Sequence, residues 1–211
     1  PLSPVETAPW PPGVRPMAIP VDLSGSMWKH VRELKTVLSE FLKDSNMEGK
    51  VQIPKPEGST AMVQALHDLA PQLEDCDVTV ITDGLENCIE TPISVTSPSG
   101  EVVTFDFAEA AKEGKKSPAY LQLVASYLRS VCRAQLYFVG LGADAKRMSE
   151  IMIKKPNCVV SWVDRGATPE ALIGVVRTMR NRGAAQRALL LEQRVPQAEQ
   201  EGLIVELTPE V

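Results

Sequence analysis

Asp22-Leu-Ser-Gly-Ser-Met27 lies between two segments of different hydrophobic pattern. The segment before it, Met17 to Val21, is a short apolar run, which is typical of a buried strand. The segment after it, Trp28 to Asp44, carries apolar residues at intervals of three and four, which is typical of an amphipathic helix. A strand that passes through a polar turn into a helix is the repeating unit of an α/β fold, so this stretch predicts that fold class.

Three oxygen-bearing side chains alternate along this turn. Asp22 contributes a carboxylate, and Ser24 and Ser26 contribute hydroxyls. Oxygen ligands of this kind suit Mg²⁺ or Ca²⁺ better than zinc, which prefers nitrogen and sulfur. Serine-rich turns after strands also occur for turn and helix-cap hydrogen bonding alone. The motif therefore predicts a hard-cation site only if other loops supply further ligands.

Two other loops carry candidate ligands. Asp77 to Ile81 is β-branched and nearly continuous in apolar character, as central parallel strands are, and the chain then reaches Asp83. An acidic residue at the carboxyl end of such a strand lies where open α/β sheets bind ligands. Thr60 precedes a predicted helix from Ala61 to Ala70, so it is either a ligand or the cap of that helix.

The rest of the chain continues the alternation of strands and helices. The predicted fold class is α/β, with a doubly wound, mostly parallel sheet flanked by helices, as in Rossmann-like folds. A later helix start is marked by Thr168 as cap and Pro169 at the first helical position. The predicted elements between are a helix from Ser117 to Val131, a strand from Ala134 to Val139, a helix from Asp144 to Lys155 and a strand from Cys158 to Val163.

An insertion delays this alternation after Asp83. Residues 88–117 contain two strand-like runs, Ile93 to Thr96 and Glu101 to Phe107, on either side of a Ser-Pro-Ser-Gly turn. Alternating apolar residues in the second run predict a β-hairpin with one apolar face. Because the hairpin leaves the sheet at the same end as Asp83, we expect it to be either a lid over that edge or a decoration without a role in binding.

The two ends of the chain differ in character from its centre. Residues 1–16 carry six prolines and predict an extended arm, because proline disfavours a helix. Trp10 in this arm is expected to dock either on the domain or on a partner. Residues 17–182 form the predicted domain, and residues 183–211 form a C-terminal extension.

Composition and charge exclude several classes of function. A chain of 211 residues is long enough for one well-buried core. The net charge of −5 and the aromatic share of 5% argue against a general nucleic-acid binder. No apolar run is long enough to cross a bilayer, so no membrane partner is expected. The four cysteines are scattered and there is no Asn-x-Ser/Thr sequon, which favours an intracellular setting while an extracellular one stays open.

The three candidate loops converge at one edge of the predicted sheet. Right-handed crossovers place all strand-to-helix loops on that edge. A pattern of Asp-x-Ser-x-Ser in one loop, a threonine in a second and an aspartate in a third resembles the von Willebrand factor A (VWA) domain and its metal-ion-dependent adhesion site (MIDAS). The resemblance spans Met17 to Arg182 and rests on Val21-Asp-Leu-Ser-Gly-Ser-Met27, Gly58-Ser-Thr60, Val80-Ile-Thr-Asp-Gly84 and Val139-Gly-Leu-Gly142.

The resemblance implies a function as well as a fold. Ser24 and Ser26 would bind a divalent cation directly, and Thr60 directly or through water. Asp22 and Asp83 would bind it largely through water. Mg²⁺ is the expected ion, with Mn²⁺ or Ca²⁺ as alternatives. In this family an acidic residue of the protein partner fills the open position on the metal, so the resemblance implies a protein-binding module without catalysis.

Two other functions stay open at this point. One is a phosphoryl-transfer enzyme that uses Mg²⁺ with Asp22 as nucleophile. Such chemistry requires a second nearby carboxylate, and Ser24 occupies the position where that carboxylate would be expected. The domain could also be a structural subunit of an intracellular multiprotein assembly.

One departure from the family is the short connection from Ser45 to Gly58, where members commonly have a strand hairpin. This departure predicts either shortened edge strands, such as Val51 to Ile53, or a smaller sheet than usual.

Overall fold

The computed structural model describes the central part of the chain and a few residues on either side. The described residues are 3, 5–6, 17–18, 62–74, 76–84, 89–164, 168, 170–171, 174–175, 177–178 and 181. They form an α/β fold, in which helices pack on a parallel sheet. The fold class is thereby confirmed at the level of α/β, whereas the predicted helix from Trp28 to Asp44 lies outside the described residues.

Strands and helices alternate along the described part of the chain, with a strand pair and a short helix inserted after the second strand. In chain order the described elements are β1 (Met17–Ala18), α1 (Met62–Leu73), β2 (Asp77–Thr82), β3 (Ile93–Thr96), β4 (Val102–Phe105), α2 (Phe107–Ala111), α3 (Pro118–Val131), β5 (Leu136–Leu141), α4 (Gly142–Met152) and β6 (Cys158–Val163).

The bounds of two helices differ from those that the sequence pattern predicts. α1 continues to Leu73 instead of ending at Ala70. Burial of Leu73 in the core favours this last turn, although Pro71 lacks the amide hydrogen that would bond within it. α4 begins at Gly142 rather than Asp144, directly after the last residue of β5, and it ends at Met152 rather than Lys155. A buried residue, Leu73 or Met152, is thus the last residue of each helix.

All four strands of the main sheet run parallel. The strand order is β1-β2-β5-β6. Met17 pairs with Asp77, Val78 with Leu136, and Leu136 with Cys158. Because the strands share one direction, their last residues lie at one edge of the sheet, the carboxyl edge, and their first residues lie at the opposite amino edge.

Both faces of the two central strands are buried. Every residue of β2 and of β5 is buried. On one face, Val80 and Phe138 belong to a core that α1, α3 and α4 share. On the other face, Ile81 and Val139 are also fully buried. Such continuous burial is what the apolar run of β2 predicts, because a parallel sheet covered on both faces has apolar residues at nearly every position.

A side-chain cap and a buried tyrosine fix the start of α3. The Ser117 hydroxyl accepts a hydrogen bond from the Tyr120 N–H at 3.2 Å, and Pro118 takes the first helical position. Tyr120 is fully buried, and its hydroxyl donates to the Ile89 carbonyl at 2.9 Å. This bond ties the segment that follows β2 to the helix.

β3 and β4 form an antiparallel pair outside the main sheet. Their apolar face packs on α3, where the rings of Phe105 and Tyr127 meet edge-on with 5.6 Å between centroids. β4 ends at Phe105, so the prediction that this strand runs to Phe107 is wrong. Asp106 accepts a hydrogen bond from the Glu109 N–H at 3.0 Å and so caps α2, which begins at Phe107.

The tip of this hairpin lies at the amino edge, away from Asp83. Arg133, between α3 and β5, donates to the Thr96 carbonyl at 2.6 Å. The same guanidinium lies 3.8 Å from the carboxylate of Glu74, between α1 and β2. Both connections lead into the start of a strand, so they mark the amino edge. The expectation that the hairpin forms a lid over the Asp83 edge is therefore wrong for its tip.

Part of the N-terminal arm docks on the domain. Val5 and Glu6 are buried. The Glu6 carboxylate forms an ion pair with Lys155 at 2.8 Å, in which 1% of the acidic and 10% of the basic side chain is exposed. Lys155 also donates to the Ser126 hydroxyl at 2.7 Å. Trp10, which the sequence suggests as an anchor, lies outside the described residues.

β5 and α4 approach each other so closely that a side chain at position 140 would collide with the helix. A Cβ added to Gly140 would lie 2.5 Å from Ser149 Oγ and 3.1 Å from the Ala145 carbonyl oxygen. The Ser149 hydroxyl already donates to that carbonyl at 2.9 Å. The absence of a side chain at Gly140 thus sets how closely the helix covers the strand.

We predict that Gly140→Ala destabilises the fold by about 1–3 kcal/mol, because the added methyl group overpacks the contact with α4. Urea unfolding measures the loss, and a second change, Ser149→Ala, should recover part of it by removing the nearest atom. Gly174→Ala is the control. A Cβ at this exposed helical position meets nothing within 4 Å, so stability should rise by up to about 1 kcal/mol. Wild-type stability of Gly140→Ala would contradict the close contact.

The buried ion pair of the arm leads to a second prediction. Glu6→Ala leaves the Lys155 ammonium buried without its carboxylate, so the free energy of unfolding should fall by about 3–5 kcal/mol. Replacing both partners, with Glu6→Leu and Lys155→Met, should restore most of this loss, because no unpaired charge remains buried. Glu101→Ala, at an exposed position, is the control. If urea unfolding shows equal stability for Glu6→Ala and Glu101→Ala, the arm does not dock in this way.

Candidate functional site

Asp83 lies at the carboxyl edge, directly after β2. Thr82 is fully buried, and only 7% of Asp83 is exposed. The Gly84 N–H donates to the Thr82 hydroxyl at 3.2 Å, which holds the turn that follows the strand. Open α/β sheets bind their ligands at this end of the strands. Asp83 therefore has the position in the sheet that its sequence context predicts.

Two neighbouring strands end at the same edge. Thr82 is in register with Gly140, and Gly140 with Trp162. β5 passes directly into α4 at Gly142, whose φ of 77° lies in the left-handed region that favours glycine. Asp164, which follows β6, is exposed. The carboxyl edge thus carries the buried Asp83 after β2 and the exposed Asp164 after β6, and the start of α4 lies between them.

β1 points toward the same edge. Met17 pairs with Asp77, and Ala18 with Val78, in the parallel sense. The strand that precedes the Ser-rich loop in sequence is therefore the sheet neighbour of the strand that ends at Asp83. This neighbourhood is what a site shared between the two loops requires.

Only one of the five predicted metal ligands lies in the described part of the chain. Asp83 lies at the carboxyl edge. The structure therefore does not bring the five together, and the site stays a prediction. The ligands outside the described residues are Asp22, Ser24, Ser26 and Thr60.

Carboxylates, imidazoles and thiols do not gather into a metal site within the described ranges. Among residues 62–74, 76–84 and 89–164, no three His, Cys, Asp or Glu side chains are grouped so that they could hold an ion. The predicted ligand set differs from such groups in kind, because three of its five oxygens are hydroxyls. Asp83 fits that set as a buried anionic oxygen donor.

A partly exposed tryptophan lies at the carboxyl edge, two strands from Thr82. Trp162 is 36% exposed. Its indole N–H donates to the Gly142 carbonyl at 2.6 Å, and Lys146 Nζ lies 5.1 Å from the ring centroid. Sequence reasoning missed this residue because a tryptophan in an apolar strand is typical of a core. Its exposure depends on β6 lying at the edge of the described sheet, which no local pattern reveals.

Two further basic residues follow from the contact between Lys146 and this tryptophan. Arg147, next to Lys146 on α4, donates to the Lys116 carbonyl at 3.1 Å and so joins the helix to the loop before α3. These three basic side chains are exposed. Asp144 and Glu150 lie on the same helix, but within the described residues no ion pair joins them or any other carboxylate to the three bases. Their positive charge is therefore available at the surface.

The amino edge holds a buried arginine. Arg129 is 3% exposed and donates to the carbonyls of Cys132 at 2.5 Å and Ala134 at 2.6 Å. It also donates to the Asn157 carbonyl at 3.2 Å. These carbonyls belong to the segments that lead into β5 and β6, so the guanidinium fastens both strands to the end of α3. Burial lowers the pKa of Arg129, because a buried cation loses the hydration that stabilises its charge.

One buried thiol, Cys132, and one partly buried thiol, Cys158, interact with this guanidinium. Burial raises the pKa of Cys132 to about 12, although the charge of Arg129 acts in the opposite direction. Burial also raises the pKa of Cys158 to about 12. A thiol with so high a pKa carries almost no thiolate at neutral pH, and the thiolate is the reactive and metal-binding form. Cys132 is therefore a core residue, and at neutral pH both thiols are expected to be protonated.

No family model matches the chain, and neither a curated protein nor a solved structure is significantly similar to it. Within the part of the chain that the structure describes, no helix is both long and apolar enough to span a membrane. The geometry of the carboxyl edge and the sequence motifs around it are thus the basis for inferring a function.

The raised pKa of the fully buried Cys132 leads to a prediction about labelling. In the native protein at pH 8, Cys132 should react with iodoacetamide far more slowly than the half-buried Cys76, because its thiol is protonated and shielded. Raising the pH from 8 to 9 should leave its labelling low, since its pKa lies near 12. Mass spectrometry measures the modified fraction at each cysteine. Labelling of Cys132 at the rate seen in urea would contradict its burial.

Proposed function

We propose that the chain is a VWA-like module that binds a protein partner through a divalent cation at the carboxyl edge. The ion would be Mg²⁺ by preference, with Mn²⁺ or Ca²⁺ as alternatives. An acidic residue of the partner would complete its coordination. The proposed ligands are Asp22, Ser24, Ser26, Thr60 and Asp83.

The register of β1 with β2 is the observation that carries this proposal. Met17 pairs with Asp77 in the parallel sense. Asp22 follows Met17 at the same interval in sequence at which Thr82 follows Asp77. Strands that run in parallel advance equally per residue. This equal count supports a Ser-rich loop at the same edge as Asp83.

The position and chemistry of Asp83 also support the proposal. This aspartate is 7% exposed and lies directly after the last residue of β2. Carboxylate oxygens are ligands that hard divalent cations prefer. A carboxylate at the edge where open α/β sheets bind ligands therefore supports Asp83 as a ligand that binds the metal through water.

The proposed ligand set would leave the metal attractive to an acidic partner. Asp22 and Asp83 together would roughly neutralise a divalent ion. The direct ligands would be hydroxyls, which carry no charge, so the ion would remain electrophilic towards an incoming carboxylate. The partner's carboxylate would thus be a ligand of the metal, and it would also contribute to the specificity of partner binding.

Burial on the second face of the sheet supports a doubly wound arrangement. Ile81, Tyr137 and Val139 lie on the face opposite to α1, α3 and α4, and all three are buried. A parallel sheet with both faces covered is the architecture of doubly wound folds. We therefore propose a doubly wound sheet for this domain.

We favour binding over catalysis because of the chemistry of the Ser-rich loop. Phosphoryl transfer to Asp22 would need a second carboxylate beside it, and Ser24 takes that position in the sequence. Turnover of a phosphate ester by the wild-type protein, abolished by Asp22→Asn, would contradict this choice.

Calorimetric titration of the whole chain with MgCl₂ and MnCl₂ tests the proposed site. We expect the wild-type protein to bind both ions. Thr60→Ala removes one donor, and Asp83→Asn removes one charge with little change in shape. Each should weaken metal binding by about 10- to 100-fold, which is the range for groups that orient or support metal ligands.

Asp164→Asn is the matched control for this titration. Asp164 is an exposed aspartate that follows β6 at the same edge. Its removal should leave the metal affinity at the wild-type value. Circular dichroism checks that every variant is folded. If the folded wild-type protein shows no heat of binding with Mg²⁺, Mn²⁺ or Ca²⁺, the proposed site does not exist.

A further inference from the structure

A tryptophan and three exposed basic residues are linked by successive contacts near the carboxyl edge. Lys146 contacts the indole ring, and its neighbour Arg147 reaches the backbone of Lys116. We propose that this surface binds an acidic, extended segment of a protein partner. The inference rests on the proposed function, since the same segment would place an acidic residue on the metal. The Trp162 surface is defined by Trp162, Lys116, Lys146 and Arg147.

The tryptophan is held in one orientation although it is partly exposed. Its N–H donates to the Gly142 carbonyl at 2.6 Å, and a lysine ammonium lies over one ring face. A side chain that is already fixed loses little conformational entropy when a partner covers it. Tryptophan is also among the residues that most often anchor protein interfaces. Trp162 thus has the exposure and the rigidity of an anchor.

The basic side chains of the Trp162 surface have no carboxylate partner among the described residues. Nearby lysines differ in this respect, because Lys112 pairs with Glu109, and Lys115 pairs with Glu90 at 2.7 Å. The whole chain has a net charge of −5, so a group of unpaired positive charges is a local exception. Charge complementarity selects a partner segment that is acidic.

The spacing of the two sites fits one extended segment. Thr82 and Trp162 are in register across β5, and two strand spacings amount to about 10 Å. An extended chain covers that distance in about three residues, at roughly 3.3 Å per residue. A segment with acidic residues three positions apart would therefore place one on the metal beside Asp83 and the next on the Trp162 surface.

Fluorescence anisotropy with a fluorescein-labelled decaglutamate peptide tests the Trp162 surface. The peptide is titrated with the whole chain at low ionic strength, once with MgCl₂ and once with EDTA. We expect the double variant Lys146→Gln/Arg147→Gln to bind the peptide about tenfold more weakly than the wild-type protein, because two surface charge pairs are lost. Added salt should weaken wild-type binding more than that of the variant.

Lys154→Gln is the matched control. Lys154 is an exposed lysine beyond the other end of α4, so it carries the same charge far from the carboxyl edge. Its removal should leave the affinity for the peptide at the wild-type value. Equal affinities of the wild-type protein, the control and the double variant would overturn the inference. So would the absence of peptide binding by a folded protein that binds Mg²⁺.

The two proposals fail in different ways. Peptide binding that EDTA abolishes but the double variant leaves unchanged would support the metal site and overturn the Trp162 surface. Binding that the double variant weakens, while EDTA and Asp83→Asn leave it unchanged, would support the Trp162 surface and contradict the metal-dependent function. Tighter binding of an oligothymidylate of the same length would overturn an acidic protein segment as the ligand and favour a nucleic acid.

Discussion

β2 and β5 pair in parallel along their length, and every residue of both strands is buried. Parallel strands cannot be joined by tight turns, so each connection must return to the amino edge through a helix outside the sheet. α1, α3 and α4 take these return paths and share one core with Val80 and Phe138. As a consequence, the described loops that follow strands of this main sheet lie at the carboxyl edge. The positions of Asp83, Gly142 and Trp162 all follow from this one pairing.

The two edges of the sheet have different chemistry. At the amino edge, charged side chains point at backbone carbonyls: Arg129 fastens the starts of β5 and β6, and Arg133 fastens the hairpin. Their hydrogen-bonding capacity is directed into the fold. At the carboxyl edge, Lys146 and Arg147 have no carboxylate partner among the described residues. The buried guanidinium of Arg129 thus lies at the amino edge, whereas the exposed side chains of Lys146 and Arg147 lie near the carboxyl edge.

The sequence pattern predicts those features of the fold that depend on local composition. The β-branched run of β2 predicted a central strand, and its end placed Asp83 at the ligand-binding edge, because burial on both faces admits few other residue types. The course of the hairpin could not be predicted in this way. It depends on a contact between Arg133 and the Thr96 carbonyl, which are distant in sequence. The start of α2 at Phe107 was missed because the cap by Asp106 competes with an alternating pattern that fits a strand equally well. The remaining metal ligands lie outside the described residues, so that part of the site stays a prediction.

The docked arm also constrains the order in which the chain can fold during its synthesis. Glu6 pairs with Lys155, and these residues are roughly 150 positions apart, a contact of very high sequence separation. Translation adds about 5–20 residues per second, so Glu6 would wait about 7–30 seconds before Lys155 is made. During that time the sheet can gain β1, β2 and β5, but the arm has no place to dock. The segment around Glu6 is therefore among the last parts to reach its final contacts, and it can dock only after α4 and Lys155 have been synthesised.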